Sequence, residues 1–396
     1  MMLSVKAKGI SSSPTLAIDA KFKEMKANGE DVVGFGCGEP DFDTPQHIKD
    51  AAIAAINNGM TKYTPAAGTL ELRKAVAKKF KEENGLDYAP ADIVVSNGAK
   101  HSLVNAFMAI LNPGDEVIIP GPFWVSYPEM VKIADGTPVI VDTAEENEFK
   151  VKPCDLQKAL TDKTKAIVIN SPSNPTGMVY TKEELKEIAD FAVENDLYVV
   201  SDEIYEHLIY EGEHISIASF NEEIKKRTIV INGVSKTYAM TGWRIGFAAA
   251  APEIAKIMAN LQSHASSNPN SIAQAAAVAA LTGPKNEIER MRRHFLKRRN
   301  YMVEAINEID GVSCKNPHGA FYIMMNIKSL MGTTMYGKVI NTSDEFADLF
   351  LEKEKVAVVP GSGFGADGYV RWSYATSMDN IVEGIQRLKN FLENKD

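Results

Sequence analysis

Lys236 and Arg244 lie eight residues apart in Ser235-Lys236-Thr237-Tyr238-Ala239-Met240-Thr241-Gly242-Trp243-Arg244-Ile245-Gly246, a glycine-punctuated stretch with no other charge. A desolvated lysine amine forms a Schiff base with an aldehyde, and the planar arginine fork matches a phosphate. The pair therefore describes a site for a phosphorylated aldehyde. Three other segments carry groups that would complete it. Asn97-Gly98-Ala99-Lys100 precedes Leu103, Ala106, Phe107, Ile110 and Leu111, apolar at helical spacing, so free backbone N–H groups at a glycine-opened helix start can bind the phosphate. Asp202, in Asp202-Glu203-Ile204-Tyr205, can meet a ring nitrogen and keep it protonated. Asn174, in the proline-stiffened loop Asn170-Ser171-Pro172-Ser173-Asn174-Pro175-Thr176-Gly177, can donate to a phenolate or carboxylate oxygen.

The elements that must position these groups alternate along the chain. Short runs rich in β-branched residues at 92–96, 116–120, 137–141, 165–169, 197–201 and 228–231 are separated by helical patterns, which predicts an α/β domain. Several runs are apolar at consecutive positions, as in strands covered on both faces of a largely parallel sheet. Ligands of such sheets sit beyond the carboxyl ends of the strands, and the four candidate groups each follow a run. The segment 181–195 reads as a helix, opened by a Thr181/Glu184 capping box and carrying Leu185, Ile188, Ala189 and Ala192 on one face. From 284 a second pattern begins: a helical stretch to about 309, strand-like 320–327 and 369–375, and a helix over 379–394. It predicts a smaller α+β domain. Residues 1–45, with Gly34, Gly36, Gly38 and the turn Glu39-Pro40-Asp41, are expected to hold no regular helix and to cross between the domains. The expected division is 1–45 with 284–396 as the small domain and 46–283 as the large one.

Composition narrows the function classes. The 396 residues are 45% hydrophobic and 24% charged, ordinary for a globular enzyme, and the net charge of -9 is spread without a basic block for nucleic acid. Cys37, Cys154 and Cys314 stand far apart with no Cys or His at metal-ligand spacing, which predicts reduced thiols, no disulfide and no metal. Residues 1–10 have no apolar targeting core and no run is long enough to span a membrane, so a cytoplasmic protein is expected. Pyridoxal 5'-phosphate is a cofactor whose groups match the set above.

Asn174-Pro175-Thr176-Gly177, Ser201-Asp202-Glu203-Ile204-Tyr205 and Ser235-Lys236 through Arg244-Ile245-Gly246 resemble the signatures of fold-type I, class I aminotransferases. Gly38-Glu39-Pro40-Asp41-Phe42-Asp43-Thr44-Pro45, Thr61-Lys62-Tyr63, Phe123-Trp124-Val125-Ser126-Tyr127-Pro128 and Val370-Arg371-Trp372-Ser373-Tyr374-Ala375 are similar to the bacterial subgroup Ib aspartate aminotransferases. The resemblance spans nearly the whole chain and implies a mostly parallel, seven-stranded-type sheet with pyridoxal 5'-phosphate as cofactor. It implies that Lys236 binds the cofactor aldehyde and moves the substrate proton, that Asp202 pairs the ring nitrogen, and that Tyr205 and Asn174 hold the 3' oxygen under a stacked Trp124. Phosphate would fall to Gly98, Ala99, Lys100, Ser235 and Arg244, with Tyr63 reaching in from the partner of a homodimer. Gly38, Trp124, Asn174 and Arg371 would contact substrate, Arg371 taking the α-carboxylate and Lys100 the distal one.

The implied reaction is ping-pong transamination of L-aspartate with 2-oxoglutarate; aromatic amino acids, alanine or prephenate as substrates, and β-lyase chemistry on the same Lys236, Asp202 and Arg244, stay open. The chain departs from the animal-type pattern at Gly233, where a phosphate-binding serine is expected, and in 262–274, which lacks an arginine for the distal carboxylate. Ser11, Ser12 and Ser13 stand where prephenate-using relatives carry a basic residue, against that substrate.

Overall fold

The computed structural model describes residues 3–394. Seven strands form its main sheet: β1 (Ile93–Ser96), β2 (Glu116–Pro120), β3 (Thr137–Val141), β4 (Thr164–Asn170), β5 (Tyr198–Asp202), β6 (Thr228–Gly233) and β7 (Gly246–Ala249), in spatial order β1-β7-β6-β5-β4-β2-β3. The strands β2 to β6 pair in parallel, and β7 runs against both β6 and β1. The consecutive apolar runs arise because both faces are covered: Val94 packs with Leu103 and Phe107, while Ile93 and Val95 pack with Leu72 and Phe80. Helix α2 (Leu70–Asn84) lies on the second of these faces and α3 (Ala99–Ile110) on the first. Helix α4 (Lys182–Glu194) opens with the expected capping box between Thr181 and Glu184.

The six expected strands are present, and the structure adds β7, which the runs did not reveal. Gly246-Phe247-Ala248-Ala249 has no β-branched residue, so its strand character comes from being clasped between β1 and β6 rather than from propensity. Glycine at its first position is a packing requirement. A Cβ on Gly246 would lie 2.1 Å from the Ala99 nitrogen and 2.4 Å from the Gly98 carbonyl carbon.

A second, antiparallel sheet is built from β8 (Ser313–Cys314), β9 (Tyr322–Asn326), β10 (Val359–Pro360) and β11 (Tyr369–Ser373) in the order β10-β11-β9-β8. It packs with α5 (Asn286–Asn307) and α6 (Met378–Glu393) around Phe295, Trp372 and Phe391. Val33–Gly34 pairs in parallel with Val356–Ala357, and Phe35 enters the same core.

The expectation of no helix before residue 45 is wrong. Helix α1 spans Pro14–Ala27, following Ser13 and with Pro14 in its first turn, a start signal that was legible. None of its residues is fully buried, but Ile18, Phe22 and Met25 lean on Val32, Leu351 and Ala357. That thin stripe is what holds it.

Filling the Gly246 contact should loosen the edge where β1, β7 and α3 meet. Gly246→Ala is expected to lose about 1–3 kcal/mol in denaturant unfolding. An unchanged midpoint would contradict the packing.

Candidate active site

One edge of the main sheet collects the chemistry. The strands β1, β4, β5 and β6 end there, and because β7 is reversed it begins there. Lys236 follows the end of β6 and Arg244 precedes the start of β7, so their eight-residue spacing is the connection between two antiparallel neighbours. Both cations stand over a cavity of about 580 Å³. Every residue expected in the site lines it except Gly98 and Tyr63.

The amine of Lys236 donates to the Gly38 carbonyl at 2.5 Å and sits 5.9 Å from the ring centres of Tyr205 and Phe321. Its side chain keeps some exposure because it faces the cavity, but loss of solvent around the amine pushes its pKa down to about 8. Glu39 and Cys37 oppose that shift; Arg244 and Arg371 add to it. A good fraction of the amine is thus neutral near physiological pH.

Asp202, at the end of β5, is 3% exposed. Burial raises its carboxyl to about 6, although its Oδ2 accepts from the Tyr127 hydroxyl at 2.7 Å and its Oδ1 from the Ile204 N–H at 3.2 Å. Tyr127, which sits three residues beyond Trp124 and is itself buried, carried no expected role. Two positions past Glu203 the turn returns Tyr205 to the cavity, its hydroxyl 2.9 Å from that of Tyr322 on β9.

Asn170 at the end of β4 links two site residues: its Oδ1 accepts from the Asn174 N–H at 2.8 Å, and its Nδ2 donates to the Asp202 carbonyl at 2.9 Å. Asn174 in turn accepts from Arg371 Nη1 at 3.0 Å, while Arg371 Nη2 donates to the Gly36 carbonyl at 2.9 Å. Arg371 lies on β11, 2% exposed, with Tyr322 and Phe364 rings 4.4 and 4.9 Å from its guanidinium. Its Nε has no partner, and among the described residues no carboxylate pairs with it. A buried cation without a counter-ion is costly unless an anion arrives.

Gly98 belongs to the site although it stays beneath the cavity wall. It precedes α3 with φ of 84°, and a Cβ there would fall 2.2 Å from Arg244 Nη2. Glycine alone allows both the left-handed turn and the close guanidinium. Arg244 is fixed by bonds to the carbonyls of Thr241 (2.9 Å) and Asn97 (3.3 Å), and Ala99, Lys100 and Ser235 share this end of the cavity. Lys100 Nζ lies 4.9 Å from the Trp124 ring, and burial with the nearby Arg244 lowers its pKa. Tyr63 is 90% exposed and away from the cavity of its own chain. The reading of the sequence as coil before residue 45 also missed Thr15 and Asp19, which α1 brings to the cavity rim beside Ser13.

The cavity thus offers an amine for an aldehyde, a carboxylate for a ring nitrogen, an anion cradle at a helix start, and a separate buried guanidinium. The sequence model of the family Aminotransferase class I and II matches residues 30–388, and the chain belongs to that family. It is similar over 99% of its length to the aspartate aminotransferase of Bacillus subtilis (strain 168), 52% identical over 394 residues and 99% of that protein. Among solved structures, the aspartate aminotransferase from Rhizobium meliloti superposes with a TM-score of 0.96 at 42% identity, covering 100% of both chains. That from Thermus thermophilus with maleate does so at 0.94 and 44%, covering 99% of this chain and 100% of the other.

Asp202 makes the site costly for the unliganded fold. A carboxyl near 3.9 when unfolded and about 6 when folded binds more protons in the folded state between those values, so stability falls as pH rises through that window and the loss persists above it. Asp202→Asn, which keeps an acceptor for Tyr127, is expected to be about 1–3 kcal/mol more stable than the parent at pH 8 and no more stable at pH 4. Equal stability at both pH values would contradict the strained carboxyl.

Proposed function

We propose that this aminotransferase uses pyridoxal 5'-phosphate to exchange L-aspartate and 2-oxoglutarate for oxaloacetate and L-glutamate in ping-pong order, as a cytoplasmic homodimer. The observation that carries the reading is that, with Lys236 given to the aldehyde and Arg244 to the phosphate, two further cations without carboxylate partners among the described residues, Arg371 and Lys100, line the cavity. A dicarboxylic amino acid supplies one anion for each. The names of the full-length relatives, and the maleate in one solved structure, agree with a four-carbon dicarboxylate.

The donor set fits the cofactor group by group. Lys236 would hold its aldehyde, Asp202 its ring nitrogen, Tyr205 and Asn174 its 3' oxygen, and Trp124 a ring face. Gly98, Ala99, Lys100, Ser235 and Arg244 would hold its phosphate at the start of α3, where the close Gly98–Arg244 approach leaves backbone N–H groups and a guanidinium together. When bound, the cofactor supplies a carbon that accepts the amino group and a protonated ring that accepts the electrons of the substrate Cα–H bond. Arg371 turns two N–H donors to the α-carboxylate and so fixes Cα. Lys236, once free, has its Nζ neutral often enough near pH 8 to take the Cα proton and to hand it on. Asp202 keeps its negative charge in a dry site, where it acts strongly on the ring.

Tyr63, Ile53, Ile56 and Leu70 are each more than half exposed, apolar side chains that support a homodimer in which Tyr63 reaches the phosphate of the partner subunit's site. Residues 1–45 join 284–396 as a small domain over the 46–283 unit, a division supported by the Val33–Val356 pairing and the Phe35 core contact.

L-Aspartate added to cofactor-loaded protein should convert the lysine-bound absorbance band to that of the amine form at lower concentration than L-phenylalanine or L-alanine. Conversion by either of those two alone would contradict the substrate assignment. Lys236→Ala should abolish turnover. Losing a charge-assisted contact costs about 1.5–3 kcal/mol, so Lys100→Ala should lower kcat/KM for aspartate about 10- to 100-fold and spare alanine. Equal losses on both substrates would place Lys100 at the phosphate only.

A further inference from the structure

Residues 38–45 form one of the motifs that the chain shares with its relatives, yet only Gly38 of them is placed against substrate. The segment joins the two sheets. On one side Asp41 takes both Arg298 Nη atoms of α5, at 2.7 and 2.8 Å, and the Phe42 ring lies 5.5 Å from that of Phe295. The Arg290 and Arg298 guanidinium groups stand 5.5 and 5.3 Å from the same Phe42 ring. On the other side the segment meets the connection between β6 and β7. Thr241 Oγ1 donates to Glu39 Oε2 at 2.6 Å, and Thr44 Oγ1 donates to the Ala239 carbonyl at 2.7 Å while accepting from Trp243 Nε1 at 2.9 Å. One hydroxyl thus ties together two points of the connection.

That connection is not a relaxed loop. Ala239 and Arg244 have φ of 50° and 56°, the left-handed region that a residue with a side chain keeps only where its surroundings hold it there. Between them lies the short turn Thr241–Trp243, which no side chain caps. The Arg244 guanidinium hangs on this turn, with Nη1 donating to the Thr241 carbonyl at 2.9 Å and Nη2 to that of Asn97 at 3.3 Å. A guanidinium has five N–H donors, so most of the fork is left for an anion. We propose that Thr44 is a positioning residue for the cofactor phosphate, acting through Arg244: its hydroxyl pins Ala239 and Trp243 on either side of the turn and so aims the arginine fork at the start of α3. The inference rests on the cofactor reading above, with phosphate as the ligand of Arg244.

The placement of Thr44 supports it. Thr44 does not line the active-site cavity, so any influence on a ligand there passes through the connection it binds. It is itself held firmly, because Asp41 and Phe42 anchor the chain before it and the helix Gln46–Asn57 begins two residues after it. The fork it aims has no slack. A Cβ on Gly98 would fall 2.2 Å from Arg244 Nη2, so a shift of the turn toward α3 collides and a shift away withdraws the guanidinium from the helix start. The Trp243 ring packs on the core of the main sheet, which fixes the indole but leaves its N–H and the Ala239 carbonyl needing the partner that Thr44 supplies.

Thr44→Val keeps the shape of the side chain and removes both hydrogen bonds. Titrating unliganded protein with pyridoxal 5'-phosphate and with pyridoxal, which lacks the phosphate, and following the lysine-bound absorbance band reads the two affinities separately. The variant should bind the phosphate ester about tenfold more weakly and pyridoxal within about twofold of the parent, as expected when one contact to a charged group is weakened. Thr44→Ser keeps the hydroxyl and should titrate as the parent with both ligands. An equal loss on both ligands, or no loss on either, would overturn the inference. If Thr44→Val does not fold, Trp243→Phe, which removes one of the two bonds, decides the matter: a loss of about threefold on the phosphate ester alone upholds the inference, and the absence of a selective loss overturns it. A parent that binds pyridoxal as tightly as its phosphate ester would overturn the phosphate assignment itself, a separate and prior result.

Discussion

The withdrawal of the Lys236 amine from water is the constraint on which the remaining arrangement depends. A lysine in solvent is almost wholly protonated at neutral pH and is neither a nucleophile nor a base. Enclosure beyond β6, against the Gly38 carbonyl and beside the Tyr205 and Phe321 rings, lowers that proton affinity without supplying a permanent counter-ion. Both sheets are needed for it: the main sheet delivers Lys236, and the second sheet brings Phe321, Tyr322 and Arg371 over it. Separate the two sheets and the amine becomes an ordinary one.

The cavity holds other groups against their preference in water. Asp202 is ionised less readily than a solvated carboxylate, and Arg371 is a cation with carbonyl partners only. Sites that bind charged ligands gain affinity by leaving such groups incompletely satisfied, and the unliganded fold is destabilised to that extent. The core on each face of the main sheet offsets the cost. Glu203 and Glu206, buried and outside the cavity lining, follow the opposite rule: Ser201, Ser216 and His214 engage Glu203, and Lys79, Asn84 and Asn232 engage Glu206.

Much of the site was legible because residue type and strand position pointed the same way. Asp202, Asn174, Lys236 and the Gly98 helix start each follow an apolar run, and the structure brings them to one cavity. What escaped the sequence did so for physical reasons. The strand β7 is made of glycine, phenylalanine and alanine and owes its conformation to its neighbours, so no propensity announced it. Helix α1 shows only Ile18, Phe22 and Met25 as a stripe, too thin to stand out, and with it went Thr15 and Asp19. Tyr127 was hidden by being an ordinary buried tyrosine whose hydroxyl matters only once Asp202 is seen beside it. Arg371 is distant in sequence and in another sheet, and only the family resemblance singled it out.

The chemistry of this cavity depends on the proton affinity of one amine. The direct measurement is the pH dependence of reductive methylation at Lys236 in the unliganded protein, followed by mass on the peptide that contains it. Half-maximal reactivity at a pH about two units below that of the surface lysines, near 8, is the predicted result. Reactivity that rises only with the surface lysines, near pH 10.5, would mean that the edge does not desolvate the amine and would contradict the account.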